Sequence, residues 1–244
     1  MKNWTQSRSR VMVGACVALT YVLASGSVDA APLTPFTATY SVRAAGLKVG
    51  KMTRRLSLYA PTQYRFETII ESSGLLKLVR HGSIEESSSG DLQGDEIRPR
   101  HYFYRRTGND RKRETEIVFD WDNHRIMTTA QGQRWEMDAT AGTLDKLVYQ
   151  LALMRDLMRD KTPLVYAVAD GGKLKSYEIS RLGEESVEFD GAPVHTIKVA
   201  YLRQDSQRRT TLWCAPALGY LPIQIEYRED DGSITTARLT KLVR

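Results

Sequence analysis

The stretch QYRFETIIE, residues 63–71, decides the fold class of this chain. Every second residue from Tyr64 to Ile70 is apolar or carries a hydroxyl, whereas the intervening Arg65 and Glu67 are charged. Successive side chains of a β-strand point to opposite faces of its sheet. This period of two therefore predicts a strand with one face in the core and one face in water.

The same alternation extends through most of the chain after Pro35. Phe36, Ala38, Tyr40 and Val42 share one face of a first strand. Turn-forming Gly, Asp, Asn and Ser residues separate the later runs, and because tight turns join neighbouring strands, we expect antiparallel pairing. Further strands are predicted at about 82–87, 97–106, 112–119, 124–130, 133–137, 164–169, 173–181, 184–189, 193–202, 208–214, 220–228 and 233–243.

One segment, about 143–160, has helical spacing instead. Thr143 is suited to cap its start, Asp145 favours the positive end of the helix dipole, and Pro163 ends it. A helix with one apolar stripe must bury that stripe, and the concave side of the sheet is the available apolar surface. The apolar positions are Leu144, Leu147, Val148, Leu151, Met154, Leu157 and Met158.

About a dozen strands and one helix predict a mainly β fold. We expect a large curved antiparallel sheet, or a partly open β-barrel, with the amphipathic helix of about 143–160 packed on it or in it. No repeat, low-complexity tract or linker divides the chain. Residues 31–244 are therefore predicted to form a single β-rich domain.

The first thirty residues have the layout of a secretory signal peptide. Lys2, Arg8 and Arg10 precede an apolar stretch at 11–24, and Val28-Asp29-Ala30 fits a cut after Ala30. The apolar stretch is short for a transmembrane helix, which needs about 20 residues. An uncleaved anchor and a lipoprotein cleavage box at Cys16 are the alternatives. The mature protein is predicted to be periplasmic and not an integral membrane protein.

Charge and cysteine usage narrow the classes of partner. Loss of residues 1–30 removes three of the 35 basic and one of the 29 acidic residues, which leaves 32 against 28. This mild excess does not indicate a nucleic-acid binder, which needs concentrated basic residues. Only Cys214 remains, so no internal disulfide is possible, and a buried, inert thiol is expected. One cysteine and four scattered histidines predict neither a metal site nor a cofactor.

Several short motifs resemble a known family. They include Gly46–Gly50 (GLKVG), Pro99–Phe103 (PRHYF), the Phe119-Asp120-Trp121 turn, Leu144–Leu147 (LDKL), Asp170–Lys173 (DGGK) and LWCAPALGYLPIQIEY at 212–227. Together they resemble the bacterial envelope family known as domain of unknown function 3108. That resemblance implies an exported β-rich protein and carries no assigned activity. Members often have an aliphatic residue where this chain has Cys214, which argues against a role for the thiol.

Aromatic residues are the compositional hint of a binding site. Such side chains can line an apolar pocket while their polar tips fix a ligand, or they can simply pack in the core. Both interpretations stand. The candidates are Tyr40, Tyr64, Phe66, Tyr102 and Tyr104.

A basic cluster and one histidine are the remaining candidates. Arg105, Arg106 and Arg111 flank a tight turn, where guanidinium groups can hold lipid phosphates or form a solvated hairpin tip diluted by neighbouring glutamates. His195 shares a strand face with Val199. It is either a polar anchor inside a cavity or a hydrogen-bonded structural residue.

Two non-enzymatic functions are expected ahead of an enzyme. The first is the binding of an apolar or amphipathic, lipid-like ligand against the concave face, with its headgroup near basic loops such as 105–113. The second is a structural or protein-interaction module in cell-envelope assembly that uses sheet edges or loops. An envelope hydrolase is the third, because no catalytic constellation is found among the residues.

Overall fold

A computed structural model describes Met1 and residues 33–59, 62–72, 82–94, 96–108, 112–203 and 207–244. Apart from Met1, the predicted signal peptide lies outside the described residues. Arg111 of the predicted basic cluster lies outside them too.

Fifteen strands, one α-helix and one 3₁₀ turn form within the described residues. The helix α1 spans Tyr149–Met158 and the 3₁₀ turn spans Pro216–Leu218. The strands are β1 (Phe36–Ala44), β2 (Leu47–Tyr59), β3 (Gln63–Ser72), β4 (Ser83–Gln93), β5 (Glu96–Arg106), β6 (Arg113–Asp120), β7 (Arg125–Ala130), β8 (Gln133–Asp138), β9 (Leu144–Asp145), β10 (Leu164–Asp170), β11 (Lys173–Phe189), β12 (Ala192–Leu202), β13 (Arg209–Ala215), β14 (Leu221–Arg228) and β15 (Ile234–Val243).

All fifteen strands join one sheet, which confirms the predicted mainly β architecture. Their order is β8-β7-β6-β5-β4-β3-β2-β1-β15-β14-β13-β12-β11-β10-β9, so two meanders meet where the first strand pairs with the last. Every pair is antiparallel except β9 with β10, whose connection contains α1. A parallel pair needs such a crossover, whereas a tight turn suffices for the others.

The sheet curls until its two ends approach each other. Strand β8 lies at one end of the order, and β9 and β10 lie at the other. Trp135 of β8 nevertheless packs against Gly172 in the β10–β11 turn, so closely that a Cβ added to Gly172 would lie 2.8 Å from the indole Cγ. The sheet is thus a nearly closed barrel without a hydrogen-bonded seam between β8 and β9.

The helix is shorter than its apolar spacing predicts. It begins at Tyr149 rather than at about 143, because Asp145 interrupts it. The Oδ1 atom of Asp145 accepts the backbone N–H groups of Leu147 and Val148, both at 2.8 Å, which forms a turn ahead of the helix. The predicted cap Thr143 instead shares a hydroxyl hydrogen bond with Thr140 at 3.0 Å.

Helix α1 lies inside the curled sheet. Eight of its ten residues are buried, so apolar and polar sides alike are covered. Helices buried on all sides occur in protein interiors rather than at rims. Along the strands that surround α1, buried and exposed side chains alternate as predicted. The most deeply buried large side chains include Tyr40, Tyr64, Tyr102, Phe66, Met52 and Leu56.

The two strands predicted at 173–181 and 184–189 are one long strand. β11 continues through a bulge between Arg181 and Gly183, where Gly183 takes a φ of +117° that favours glycine. β10 pairs with β11 only up to Ile179, and β13 pairs with β12 only from Ile197. The intervening part of the β11–β12 hairpin therefore forms a two-stranded ribbon beyond the body of the sheet.

Candidate functional site

Three successive rows of inward side chains cross strands β2 to β5. The first row, nearest one end of the sheet, is Met52, Ile70, Ile84 and Arg106. The second, which we call the polar row, is Arg54, Thr68, Glu86 and Tyr104. The third is Leu56, Phe66, Ser88 and Tyr102. The interior therefore changes from aliphatic to polar and back to aromatic within about 14 Å along the strands.

A cavity of about 460 Å³ opens above the first row, at the end of the sheet formed by β1 to β5. We call it the mouth cavity. Its aliphatic part is formed by β1 to β4, whereas Ser83, Arg106 and Thr107 add polar groups. Its lining includes Val42, Val49, Ile70, Ile84, Arg106 and Thr235.

The structure separates the neighbouring arginines of the predicted basic cluster. Arg106 continues the inward row of Tyr102 and Tyr104 and lines the mouth cavity. Arg105 points outward, where its Nε donates to Glu114 at 3.2 Å and its guanidinium lies 5.0 Å from the ring centre of Phe103. Because successive side chains of a strand point to opposite faces, only one of these two adjacent arginines can point into the interior.

Four of the five predicted aromatic residues pack in the core and do not line the mouth cavity. Tyr40, Tyr64, Phe66 and Tyr102 are each at most 2% exposed, whereas Tyr104 is half-buried. The hydroxyls of the three buried tyrosines among them, Tyr40, Tyr64 and Tyr102, have protein partners. The Tyr40 hydroxyl donates to the carbonyl of Pro222 at 2.9 Å. These four side chains therefore serve as core packing. Burial raises the pKa values of the three tyrosines well above the usual range.

A buried hydrogen-bond chain links the third row to the turn before α1. The hydroxyls of Tyr64 and Ser88 lie 3.0 Å apart, and Ser88 Oγ donates to Asp145 Oδ2 at 2.5 Å. Asp145 is fully buried, and burial raises its pKa from 3.8 to about 7, although the hydrogen bonds that it accepts oppose the rise. The helical pattern hides this role of Asp145, because contacts with β4 are not visible in local spacing.

Arg54 is the second functional candidate that the sequence pattern leaves out. It is 4% exposed, and its Nη1 donates to Gln150 Oε1 of α1 at 2.5 Å. The available signal is its register, because Arg54 alternates with Met52 and Leu56 on the inward face of β2. A charged residue at an inward position is the exception that such a pattern can flag.

The structure places His195 at the surface rather than inside a cavity. Its side chain is 55% exposed, and its Nε2 lies 3.7 Å from Glu184 Oε2. The physical reason is the ribbon of the β11–β12 hairpin, where neither β10 nor β13 covers this part of the strands. Strand alternation predicts which residues share a face, but not how far the neighbouring strands extend.

Cys214 is buried as predicted. Its side chain is fully covered, and burial raises its thiol pKa to about 12. Among the described residues, no three His, Cys, Asp or Glu side chains converge in a way that could hold a metal ion.

A larger cavity of about 730 Å³ lies between the end of α1 and the β4–β5 turn. Its wall combines Arg155, Asp156, Arg159 and Lys161. Asp156 accepts hydrogen bonds from Lys161 Nζ and from the Tyr166 hydroxyl, both at 3.0 Å. Because the charges of this cleft already have partners within the chain, the mouth cavity is the stronger ligand candidate.

Comparisons with known proteins agree with the fold. A family model for a protein of unknown function, DUF3108, matches residues 36–240, which confirms the resemblance carried by the motifs. A crystal structure of a β-barrel-like protein of domain of unknown function DUF1849 from Brucella abortus superposes with a TM-score of 0.53. The superposition covers 86% of this chain and 97% of the Brucella abortus protein, and the two sequences are 11% identical. This similarity shows the fold alone.

Two further findings concern function only indirectly. A search of curated proteins finds no match to the chain. Within the part of the chain that the structure describes, α-helical segments lack the length and apolar character needed to cross a membrane.

Proposed function

The chain belongs to the DUF3108 family of proteins of unknown function, and from that premise we propose that it is an exported, non-enzymatic protein that binds an amphipathic ligand in the bacterial envelope. The mouth cavity is the observation that carries this proposal. Export rests on the signal-peptide layout of residues 1–30.

The size and chemistry of the mouth cavity suit an amphiphile. Its volume of about 460 Å³ falls in the usual range of ligand pockets, roughly 300–1,000 Å³. Val42, Ile70 and Ile84 offer an apolar wall for a hydrocarbon chain. Of the two charged residues along the described lining, Glu71 belongs to the outward row of β3 and Arg106 to the inward row of β5. An anionic headgroup at the rim would therefore meet a cation.

The polar groups near the rim favour binding over chemistry. The Ser83 and Thr107 hydroxyls lie 2.8 Å apart and hydrogen-bond each other. A hydroxyl nucleophile needs an adjacent base to become reactive, and each of these hydroxyls faces another hydroxyl instead. The proposal therefore assigns the cavity no reaction.

The adjacent arginines provide a matched pair for testing the proposal. Titration calorimetry of dodecyl phosphate into the delipidated full chain would compare wild type with R106Q and R105Q. We expect R106Q to weaken binding about tenfold, because a charge-assisted hydrogen bond is lost, and R105Q to leave it unchanged. Equal effects of the two variants, or no binding to wild type, would contradict the proposal. Dodecyltrimethylammonium is the cationic control and is expected to bind more weakly.

A protein-interaction module is the second candidate function, favoured by strand β8. Among the strands that the structure describes, this edge strand pairs only with β7, and five of its six residues are exposed. Unpaired edges can accept a strand from a partner protein. E136P would remove a backbone donor from that edge. We expect it to abolish partner capture and to leave dodecyl phosphate binding intact if this candidate holds.

A further inference from the structure

Arg54 is a buried cation inside the sheet, and among the described residues no carboxylate forms an ion pair with it. Its neighbours along the inward face of β2, Met52 and Leu56, are each 1% exposed, and its one hydrogen bond goes to the neutral amide of Gln150. Among the described residues, no carboxylate oxygen lies within 4.0 Å of the guanidinium. Buried charges are normally paired, because an unpaired one loses its hydration without compensation.

Thr68 lies directly opposite Arg54 on β3 and is 2% exposed. The Nε atom of Arg54 and the Oγ1 atom of Thr68 are both buried without a hydrogen-bond partner among the described residues. Side chains paired in this way across antiparallel strands have Cβ atoms about 4.5–5.5 Å apart. The paired residues thus supply one unpartnered N–H donor and one unpartnered hydroxyl on the same inward face, and a carboxylate can accept from both kinds of donor.

The pair lies one row below the mouth cavity. Ile70, which lines that cavity, is two residues from Thr68 on the same face of β3, a separation of about 7 Å. Ile84 has the same relation to Glu86 on β4. An apolar chain that enters past these isoleucines would bring its end to Arg54 and Thr68.

We infer that Arg54 and Thr68 form an anion site in the interior that binds one carboxylate. The carboxylate belongs either to a small free acid or to the end of an apolar chain threaded through the mouth cavity. Glu86 follows Thr68 in the polar row and holds the Tyr102 hydroxyl at 2.6 Å. Its carboxyl group disfavours a second negative charge nearby, so the site selects a monoanion over a dianionic phosphate.

This inference deepens the proposed function when the carboxylate ends a chain, but it does not depend on Arg106. Acetate cannot occupy the mouth cavity and the interior site together, whereas decanoate is long enough to span both. Loss of dodecyl phosphate binding alone would therefore contradict the proposed function and leave the interior site standing.

The test is titration calorimetry of acetate and of decanoate into the delipidated full chain. The variants are R54M, T68V and the matched control R55M, whose arginine is exposed on the outward face of β2. We expect R54M to weaken carboxylate binding at least tenfold, T68V to weaken it severalfold, and R55M to leave it unchanged. T68V keeps the shape of the core, so it tests the site even if R54M does not fold.

The two ligands distinguish the two sources of the carboxylate. Binding of acetate and decanoate with similar affinity supports a small free acid, whereas much tighter binding of decanoate, weakened by R54M, supports the end of a chain. No binding of either carboxylate to wild type would overturn the inference. Equal behaviour of R54M and R55M would overturn it as well.

Discussion

Asp145 on β9 accepts a hydrogen bond from Ser88 on β4 at 2.5 Å, and this contact crosses the interior from one meander of the sheet to the other. Strands β4 and β9 are far apart in the strand order, so only the curl of the sheet brings them together. The same carboxylate holds the turn that precedes α1. One buried acid thus ties the helix and both halves of the sheet.

The pH dependence of stability is expected to follow Asp145. Burial raises its pKa from 3.8 to about 7, so between these pH values the folded protein keeps a proton that the unfolded chain has released. The contribution to the free energy of unfolding is therefore fully present below about pH 4 and is lost as the pH rises through 7. D145N should remove this change, which amounts to a few kcal/mol at most. Urea denaturation at pH 5 and pH 8 measures the free energy of unfolding of both proteins. An equal change between the two pH values in wild type and D145N would contradict the assignment.

Ser88 is expected to matter more than its outward neighbour Ser89. S88A leaves Asp145 with one fewer hydrogen bond and unfolds more easily, by about 1–3 kcal/mol at pH 8. S89A, on the opposite face of β4, should change stability by less than about 0.5 kcal/mol. Urea denaturation of the two variants compares them directly. Similar losses would show that the Ser88–Asp145 contact contributes little.

The near closure of the sheet can be tested at two adjacent glycines. Gly171 and Gly172 both have positive φ, at 64° and 73°, so alanine at either position is strained by about 1–2 kcal/mol. At Gly172 the new Cβ would also collide with Trp135, whereas at Gly171 nothing lies within 4 Å. G172A should therefore lose clearly more stability than G171A and alter the near-ultraviolet circular dichroism of tryptophan. Equal losses would argue that β8 does not contact the β10–β11 turn.

Cys214 should be unreactive in the folded protein. Its thiol is fully buried, and burial raises its pKa to about 12, so the nucleophilic thiolate is nearly absent at pH 8. In the protein without residues 1–30, which include Cys16, reaction with 5,5′-dithiobis(2-nitrobenzoate) should be negligible in buffer. It should be complete in 6 M guanidinium chloride, a concentration of the order that unfolds even very stable domains. Rapid modification without denaturant would contradict the burial of this strand.

Much of the sheet could be predicted because strand alternation is a local signal. The row of Tyr64 and Phe66 is buried as the period of two requires. The break at Gly183 appears as a strand end in the sequence, although the backbone continues through a bulge. Local pattern detects where pairing is irregular but not whether the neighbouring strand continues beyond it.

The site was less predictable because its contacts are remote in sequence. Arg54 meets Gln150 across 96 positions, and Ser88 meets Asp145 across 57. Strand alternation predicts that only one of Arg105 and Arg106 faces inward, but the presence of a cavity beside Arg106 depends on how the sheet curls. The extent of β10 and β13, which leaves His195 exposed, is likewise a property of the folded sheet.

Native mass spectrometry of the gently purified protein tests the central claim most directly. An amphiphile held in the mouth cavity predicts an adduct of lipid mass on the wild-type protein, reduced in R106Q and retained in R105Q. A bare protein mass after gentle purification, and again after incubation of delipidated protein with bacterial lipid extract, would contradict the account.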